Sequence, residues 1–182
     1  RTSVLTNVND IYAMGGRPVA LVDVLFSKDQ ESAGEVLRGI RDNAGRYGVP
    51  VVGGDTTLDA ESGSLSVFIL GKAGRLLSGF GALAGDDIIF ASDLEGKFYP
   101  AFNFWDSSSG LAEDALRGQL EILPQLAESG LADAAKDVSM AGLIGSALMM
   151  LEGSKSGAEI YLDRIPAPGG VPLRKWLLTF PS

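Results

Sequence analysis

The sequence of 182 residues contains no cysteine and no histidine. Disulfide frameworks, thiolate nucleophiles, Ser-His-Asp triads and most zinc and haem sites are therefore excluded, because each needs a thiolate or an imidazole. A metal ion would have to be held by oxygen ligands, which favours Mg²⁺, Mn²⁺ or Ca²⁺. The carboxylates are thus the side chains to examine first as candidate ligands.

Basic residues are few relative to acidic ones, with 15 Lys and Arg against 23 Asp and Glu and a net charge of −8. That balance disfavours non-specific binding to nucleic acid, whose phosphates require a basic surface. No apolar run reaches the ~20 residues that a membrane-spanning helix needs, and no signal peptide is recognisable. We therefore expect a cytoplasmic protein without a nucleic-acid or membrane partner.

Hydrophobic periodicity predicts alternating helices and strands in both halves of the chain. In the first half we expect helices over 3–14 and 29–47 and strands over 19–26, 51–52 and 64–71. The run 19–26 is almost entirely apolar, which suits a buried strand. In the second half we expect strands over 87–92 and 158–162, two helices within 111–135 separated at Pro124, and helices over 140–152 and 173–178. Gly-rich residues 78–86 separate the halves, so the pattern predicts α+β or α/β layers in two domains, 1–80 and 81–182.

Asp10 is the first carboxylate whose surroundings suggest a ligand. It follows Asn7 by three residues on the first predicted helix, so that the amide and the carboxylate share a face. Val8 and Ile11 occupy the opposite, core-facing side. Such a pair can bind a hard cation or hydrogen-bond a ribose or phosphate. The alternative is a polar, solvated stripe on the helix that binds nothing.

Asp55 follows the short predicted strand Val51-Val52 and the pair Gly53-Gly54. A strand ending in two glycines lets the backbone approach a ligand closely, and exposed N–H groups there can bind phosphate oxygens. Asp55 can then hold the Mg²⁺ that accompanies the phosphates. The alternative is a common Gly-Gly-Asp turn in which the aspartate caps its own backbone.

Asp137 directly precedes the predicted helix over 140–152, for which Ser139 is the expected N-cap. Gly142 and Gly145 leave space near the start of this helix, and free N–H groups with the helix dipole can bind an anion. The alternative is an ordinary Ser N-cap with a favourably placed aspartate. Neither GxxxxGK[ST] nor a complete GxGxxG is present, so a Walker-type NTPase and a dinucleotide dehydrogenase are unsupported.

Taken in order, residues 8–18 (VNDIYAMGGRP), 52–57 (VGGDTT) and 136–143 (KDVSMAGL) resemble the motifs of the PurM-like superfamily. That superfamily includes aminoimidazole ribonucleotide (AIR) synthase, thiamine-monophosphate kinase, selenophosphate synthetase and the hydrogenase maturation protein HypE. The resemblance covers essentially the whole chain. It is strongest to AIR synthase-related proteins, which are also similar at 102–106, 135–142 and 173–182.

This resemblance implies a PurM-like two-domain architecture. The N-terminal domain would be an α/β sheet domain that pairs with a second subunit, and the C-terminal domain would be α+β. An upstream acidic motif and part of the C-terminal domain are absent relative to the family, so we expect the chain to be truncated at both ends. The expected partners are a second copy of the chain and a small-molecule phosphate acceptor.

The resemblance also implies ATP and Mg²⁺ as cofactors. Carried over position by position, the catalytic and metal-binding residues are Asp10, Asp55 and Asp137. The implied nucleotide contacts come from the same three motifs and are Asn9, Gly53, Gly54, Thr56, Ser139 and Gly142.

The implied function is an Mg-ATP-dependent phosphotransferase or ATP-activating synthase acting on a small metabolite. Kinase-like members carry an acidic residue where this chain has Met140, which implies the loss of one metal site. The alternative is therefore a non-catalytic nucleotide-binding or partner-docking module of the same fold.

Overall fold

A computed structural model of the chain describes residues 2–181, and these fold into two compact units. The first unit comprises Arg1–Leu76 and Glu113–Glu128, and the second comprises Leu77–Ala112 and Ser129–Ser182. The chain therefore passes between the units more than once. The domain limits 1–80 and 81–182 stay a prediction, to which the structure adds that residues 113–128 pack with the first unit.

The first unit contains a sheet of β1 (Gly16–Phe26), β2 (Val51–Thr57) and β3 (Ser64–Ala73). The strand order is β2-β1-β3, with β2 parallel and β3 antiparallel to β1. The helices of this unit are α1 (Thr2–Ala13), α2 (Gln30–Tyr47), α3 (Glu113–Leu120) and α4 (Ile122–Glu128). Strand β2 is longer than predicted, because the Gly-Gly-Asp segment continues the strand instead of ending it.

Local capping explains the limits of α2. The Asp29 carboxylate accepts the Ser32 backbone N–H at 2.7 Å, which satisfies one of the free donors of the first turn. Gly48 ends the helix in the left-handed region at φ 69°, a conformation that glycine adopts without steric cost. The predicted helix over 29–47 is confirmed, and both signals were readable from the sequence.

The two faces of the sheet differ. Leu21 and Leu25 of β1 are buried on the face that α1 and α2 cover. The neighbouring residues Val22 and Phe26 point the other way and are exposed, because successive strand residues alternate in side. The expectation that 19–26 is a buried strand is therefore correct for one face only. We call the other face of β1, β2 and β3 the open face.

The second unit is built around a small sheet of β4 (Lys97–Phe98), β5 (Phe104–Asp106) and β6 (Phe180–Pro181), in the order β4-β5-β6. Its helices are α5 (Gly142–Gly153) and α6 (Leu173–Leu177). Trp105 of β5 and Trp176 of α6 are buried and meet edge to face, with ring centroids 5.5 Å apart. This aromatic contact joins the small sheet to α6.

Two predicted strands of the second half are wrong. Residues 87–92 and 158–161 are irregular, and Leu162–Arg164 form a single 3₁₀ turn. Ile89 is almost fully exposed. A short apolar segment becomes a strand only when a neighbouring strand pairs with it, and none does so here among residues 2–181.

Two predicted helix limits also differ from the structure. The break within 111–135 falls at Glu121 rather than at Pro124. Pro124 lies in the first turn of α4, where a backbone N–H would have no acceptor within the helix, so a proline is tolerated there. Helix α5 begins at Gly142, and its cap residue Ala141 offers no side-chain hydrogen bond. Ser139 is therefore not the N-cap that the sequence predicted.

Mixed helices and strands in two units confirm the predicted α+β class. Among residues 2–181 no helix combines the length and the hydropathy that crossing a membrane would demand.

Candidate functional site

The pairing of β1 with its neighbours places Asp55 on the open face. Asp55 lies beside Val24 in the parallel pair, and Val24 lies beside Ser66 in the antiparallel pair. Side chains of directly paired residues point to the same side of a sheet. The Asp55 carboxylate is exposed and shares the open face with apolar side chains such as Phe68.

The two glycines before Asp55 have different structural roles. A Cβ at Gly54 would lie 2.7 Å from the Asp23 carbonyl oxygen and 3.0 Å from its carboxylate, whereas a Cβ at Gly53 would meet nothing within 4 Å. Gly54 is therefore required by close packing of β2 on β1. Of these two glycines, Gly53 is the one at which the structure leaves open space next to the backbone for a ligand. Thr56, which follows Asp55, is exposed.

Asp23 is an ionisable residue that the sequence analysis did not single out. Its side chain is 4% exposed and faces the helices. Burial raises the pKa of its carboxyl group, because the charged form loses hydration. The available signal was a lone acidic residue inside the apolar run 19–26.

Asp10 lies toward the other end of β1. The side chain of the adjacent Ile11 packs against the backbone at Gly16 and Gly71. A Cβ added at Gly16 would lie 3.3 Å from this side chain, and a Cβ added at Gly71 would lie 2.5 Å from it. Gly71 pairs with Pro18 near the start of β1, whereas Asp55 pairs with Val24. At ~3.3 Å per residue, the stretch from Pro18 to Val24 spans roughly 20 Å.

Asp10 and Asp55 of one chain therefore lie near opposite ends of β1. The predicted helix partner of Asp10 is also engaged, since the Asn7 amide donates to the Ser3 carbonyl at 2.8 Å. Asp10 is exposed and Asn9 is half-buried on the same helix.

The third motif belongs to the second unit. The Asp137 carboxylate accepts from the Lys136 ammonium at 2.9 Å, and both side chains are partly exposed. The Ser139 N–H donates to the Ser146 hydroxyl at 2.9 Å. Gly142 has φ 71°, and a Cβ there would lie 2.5 Å from the Leu177 carbonyl oxygen. The small residue at position 142 is thus explained by packing against α6.

The donor chemistry of these residues suits a magnesium nucleotide, since carboxylates and a threonine hydroxyl are the oxygen ligands that Mg²⁺ takes. Within residues 2–181, however, no group of three or more acidic side chains lies close enough to hold a metal ion. The assignment of Asp10, Asp55 and Asp137 as metal ligands stays a prediction, as do the nucleotide contacts.

Comparison with known families matches nearly the whole chain. The family described as AIR synthase related protein, N-terminal domain, matches residues 1–73. The family described as AIR synthase related protein, C-terminal domain, matches residues 84–181.

Individual relatives agree with this assignment. An uncharacterised protein of Synechocystis is 47% identical over 181 residues, covering 99% of this chain and 56% of the relative. Selenide, water dikinase of Geobacter metallireducens is 32% identical over 182 residues, covering 94% of this chain and 52% of the relative. The chain thus spans about half the length of the curated relatives it matches.

A solved structure extends the comparison to the fold. AaThiL, complexed with AMPPCP and TMP, superposes with a TM-score of 0.71 at 23% identity, covering 94% of this chain and 62% of that one. This likeness concerns the fold, and it agrees with the resemblance of the three motifs. With both domains matched in order along the sequence, the chain belongs to the AIR synthase-related family of PurM-like proteins.

Proposed function

We propose that this protein is an Mg-ATP-dependent phosphotransferase or ATP-activating synthase that acts on a small metabolite. The observation that carries the proposal is the 32% identity, over 94% of the chain, to a protein named selenide, water dikinase. The fold shared with a ThiL structure containing AMPPCP supports a nucleotide as the common ligand. The chain keeps an aspartate in each of its three motifs.

Phosphoryl transfer suits a chain without cysteine and histidine. The reaction needs no protein nucleophile, because catalysis comes from positioning and from stabilising charge on the phosphate oxygens. Bound Mg²⁺ would supply that charge neutralisation. Asp10, Asp55 and Asp137 would hold the ions, and the backbone of Gly53 and Thr56 would lie against the nucleotide. Asn9, Gly54, Ser139 and Gly142 would complete the nucleotide contacts.

A homodimer formed through the open face is part of this proposal. Phe68 and Leu70 are 60% and 64% exposed there, next to Val22 and Phe26. Apolar side chains grouped on one sheet face favour association with another surface. Asp55 lies on the same face, so a second subunit would lie against the nucleotide site. Since Asp10 and Asp55 of one chain are far apart, a second subunit can bring further ligands to either of them.

The direct test compares Asp55→Asn with Asp59→Asn in titration calorimetry of Mg-ATP. Asp59 is an exposed aspartate of the same first unit, in the turn after β2 at φ 59°, a conformation that asparagine tolerates. We expect Asp55→Asn to weaken Mg-dependent affinity at least tenfold, because a charge-assisted metal contact is lost. Asp59→Asn should bind as the unmodified protein does. Equal affinities for Asp55→Asn and the unmodified protein would refute the assignment.

Met140 favours a second candidate function, a nucleotide-binding or partner-docking module without turnover. Its side chain is exposed and cannot ligate Mg²⁺ as a carboxylate does. A screen of small metabolites for acceptor-dependent ADP release separates the two functions. Release that rises with one acceptor and is lost in Asp55→Asn favours the enzyme, whereas nucleotide binding without release for every acceptor favours the module.

We also propose a cytoplasmic location, where ATP and small metabolites are available together. A cytoplasmic location agrees with an acidic chain of net charge −8 that contains no cysteine.

A further inference from the structure

An aromatic pocket lies on the surface of the second unit. It has a volume of about 420 Å³, within the range of small-molecule sites. Its side chains come from the β4–β5 hairpin and from α6, and we define it by Phe98, Tyr99, Phe102, Asn103 and Lys175.

Two aromatic rings beside the pocket are not covered by the fold. Tyr99 and Phe102 are 50% and 67% exposed. Their rings are nearly parallel, with an interplanar angle of 7° and centroids 6.2 Å apart. A backbone bond from the Tyr99 N–H to the Phe104 carbonyl, at 2.8 Å, closes the hairpin that carries them. Exposed rings in a fixed orientation favour a planar partner that can stack.

The floor of the pocket is firmly attached to the core. Phe98 meets Trp105 edge to face at 5.1 Å, and Trp105 in turn meets Trp176 at 5.5 Å. The Trp105 indole N–H donates to the Asp93 carbonyl at 2.9 Å. The surface under a ligand is therefore preorganised, which lowers the entropic cost of binding.

The pocket carries a positive charge in an acidic protein. Lys175 is the charged residue among those that line it, whereas the chain as a whole carries a net charge of −8. The Lys175 ammonium lies 3.5 Å from the centre of the Phe98 ring. That contact uses one side of the ammonium and leaves donors for an anion, since the group has three. Asn103 adds a side-chain amide at the rim.

We infer that this pocket binds a small planar aromatic carboxylate. The ring of the ligand stacks on Phe102, the more exposed ring of the Tyr99–Phe102 pair, and its carboxylate pairs with Lys175. The Lys175 charge disfavours cationic ligands, and the exposed ring distinguishes a planar acid from an aliphatic one. The site is independent of the proposed nucleotide site, because none of its residues belongs to the three motifs.

Benzoate is the probe for this inference, and the two tryptophans of the chain provide the readout. Both Trp105 and Trp176 lie in the aromatic cluster beneath the pocket, so a stacked ligand should change their fluorescence. We expect a saturable change with benzoate. Cyclohexanecarboxylate keeps the charge without the flat ring, and benzamide keeps the ring without the charge. Each should bind at least fivefold more weakly than benzoate.

Matched variants locate the site. Lys175→Met should weaken benzoate binding about tenfold, the effect of removing one charge-assisted contact. Arg164→Met is its control, because Arg164 also covers an aromatic ring, that of Tyr161 at 4.5 Å, outside the pocket. Phe102→Ala should weaken binding, whereas Leu131→Ala, which removes another highly exposed apolar side chain of the unit, should not. Thermal melting identifies any variant that fails to fold.

Three results would overturn the inference. The first is no saturable change with benzoate in the folded, unmodified protein. The second is equal affinity for benzoate and cyclohexanecarboxylate. The third is unchanged benzoate affinity in a folded Lys175→Met protein. Because the probe contains no phosphate, these results leave the proposed nucleotide site untouched, and Mg-ATP affinity should be the same in Lys175→Met and unmodified protein.

Discussion

At the scale of single residues, Asp23 is the ionisable group that stands out in the first unit. It lies within an apolar strand, and its burial raises the pKa of its carboxyl group. The unfolded chain ionises this residue at its ordinary pKa of ~3.9, whereas the folded chain ionises it only at higher pH. Folding is therefore destabilised by Asp23 as pH rises through that window, and the loss persists above it.

Asp23→Asn tests this linkage. Asparagine stays neutral at every pH, so the free energy of unfolding of the variant should exceed that of the unmodified protein at pH 7. The difference should shrink as the pH falls, because the raised pKa makes the folded chain take up this proton at higher pH than the unfolded chain does. Urea denaturation across this pH range measures it, and Asp42→Asn on the exposed side of α2 is the control. A difference that is constant with pH would contradict the account.

Gly54 and Gly53 form a second matched pair. Gly54→Ala places a Cβ 2.7 Å from a backbone oxygen of β1, whereas Gly53→Ala meets nothing within 4 Å. We expect Gly54→Ala to lower the free energy of unfolding by about 1–3 kcal/mol, the usual cost of overpacking. Gly53→Ala should leave stability nearly unchanged and should instead reduce nucleotide affinity. Chemical denaturation of both variants measures the packing role of each glycine, and Mg-ATP titration measures its role in nucleotide binding.

At the scale of elements, the segment α3–α4 is attached to the first unit by two arginines. Arg117 of α3 donates to the Arg46 and Gly45 carbonyls at the end of α2, both at 2.8 Å. Arg17 of β1 binds Glu121 at 2.8 Å and also binds Glu128. The first pair of bonds adds to the capping at the C-terminal end of α2, where the Gly45 carbonyl also accepts the Gly48 N–H at 3.0 Å.

Removing the Arg117 contacts should therefore loosen α3. Arg117→Met should lower the free energy of unfolding by about 1–3 kcal/mol, since two bonds from a charged donor are lost. Arg41→Met, on the exposed side of α2, should cost less than ~0.5 kcal/mol. Chemical denaturation compares the two variants, and an equal cost for both would contradict the capping role.

The elements also show what could be predicted locally and what could not. The limits of α2 follow from Asp29 and Gly48, whose effects depend only on neighbouring residues. The strand expected over 87–92 fails because a strand needs a partner that the local sequence does not identify. The return of residues 113–128 to the first unit rests on Arg17 and Arg117, which act across long sequence separations. Neither hydrophobic periodicity nor the spacing of motifs predicts such contacts.

At the scale of the whole molecule, the order of the three motifs identified the family and the fold class. The arrangement of the motifs in space could not be predicted from the sequence. The placement of Asp10 and Asp55 near opposite ends of β1 follows from the register of β1 with β2 and β3 and from the position of α1, none of which is encoded in the motifs. The residues of the open face could not be read from the apolar run 19–26, because such a run does not tell whether one or both faces of its strand are covered.

The proposed dimer makes a prediction at this scale. Phe68→Asp introduces a charge on the open face and should give a monomer at concentrations where the unmodified protein is a dimer. Leu131→Asp, at an exposed apolar position of the second unit, should leave the dimer intact. Sedimentation velocity distinguishes these states. A dimer that persists in Phe68→Asp would exclude the open face as the interface.

The central claim is that this chain uses a magnesium nucleotide. The most direct measurement is calorimetric titration of ATP into the full chain in Mg²⁺, repeated with EDTA. The account predicts saturable binding that EDTA abolishes, because the acidic side chains of the site can hold the phosphates only through a cation. A folded protein that binds no ATP in Mg²⁺, or binds it equally with EDTA, would contradict the claim and leave the three aspartates without a ligand-binding role.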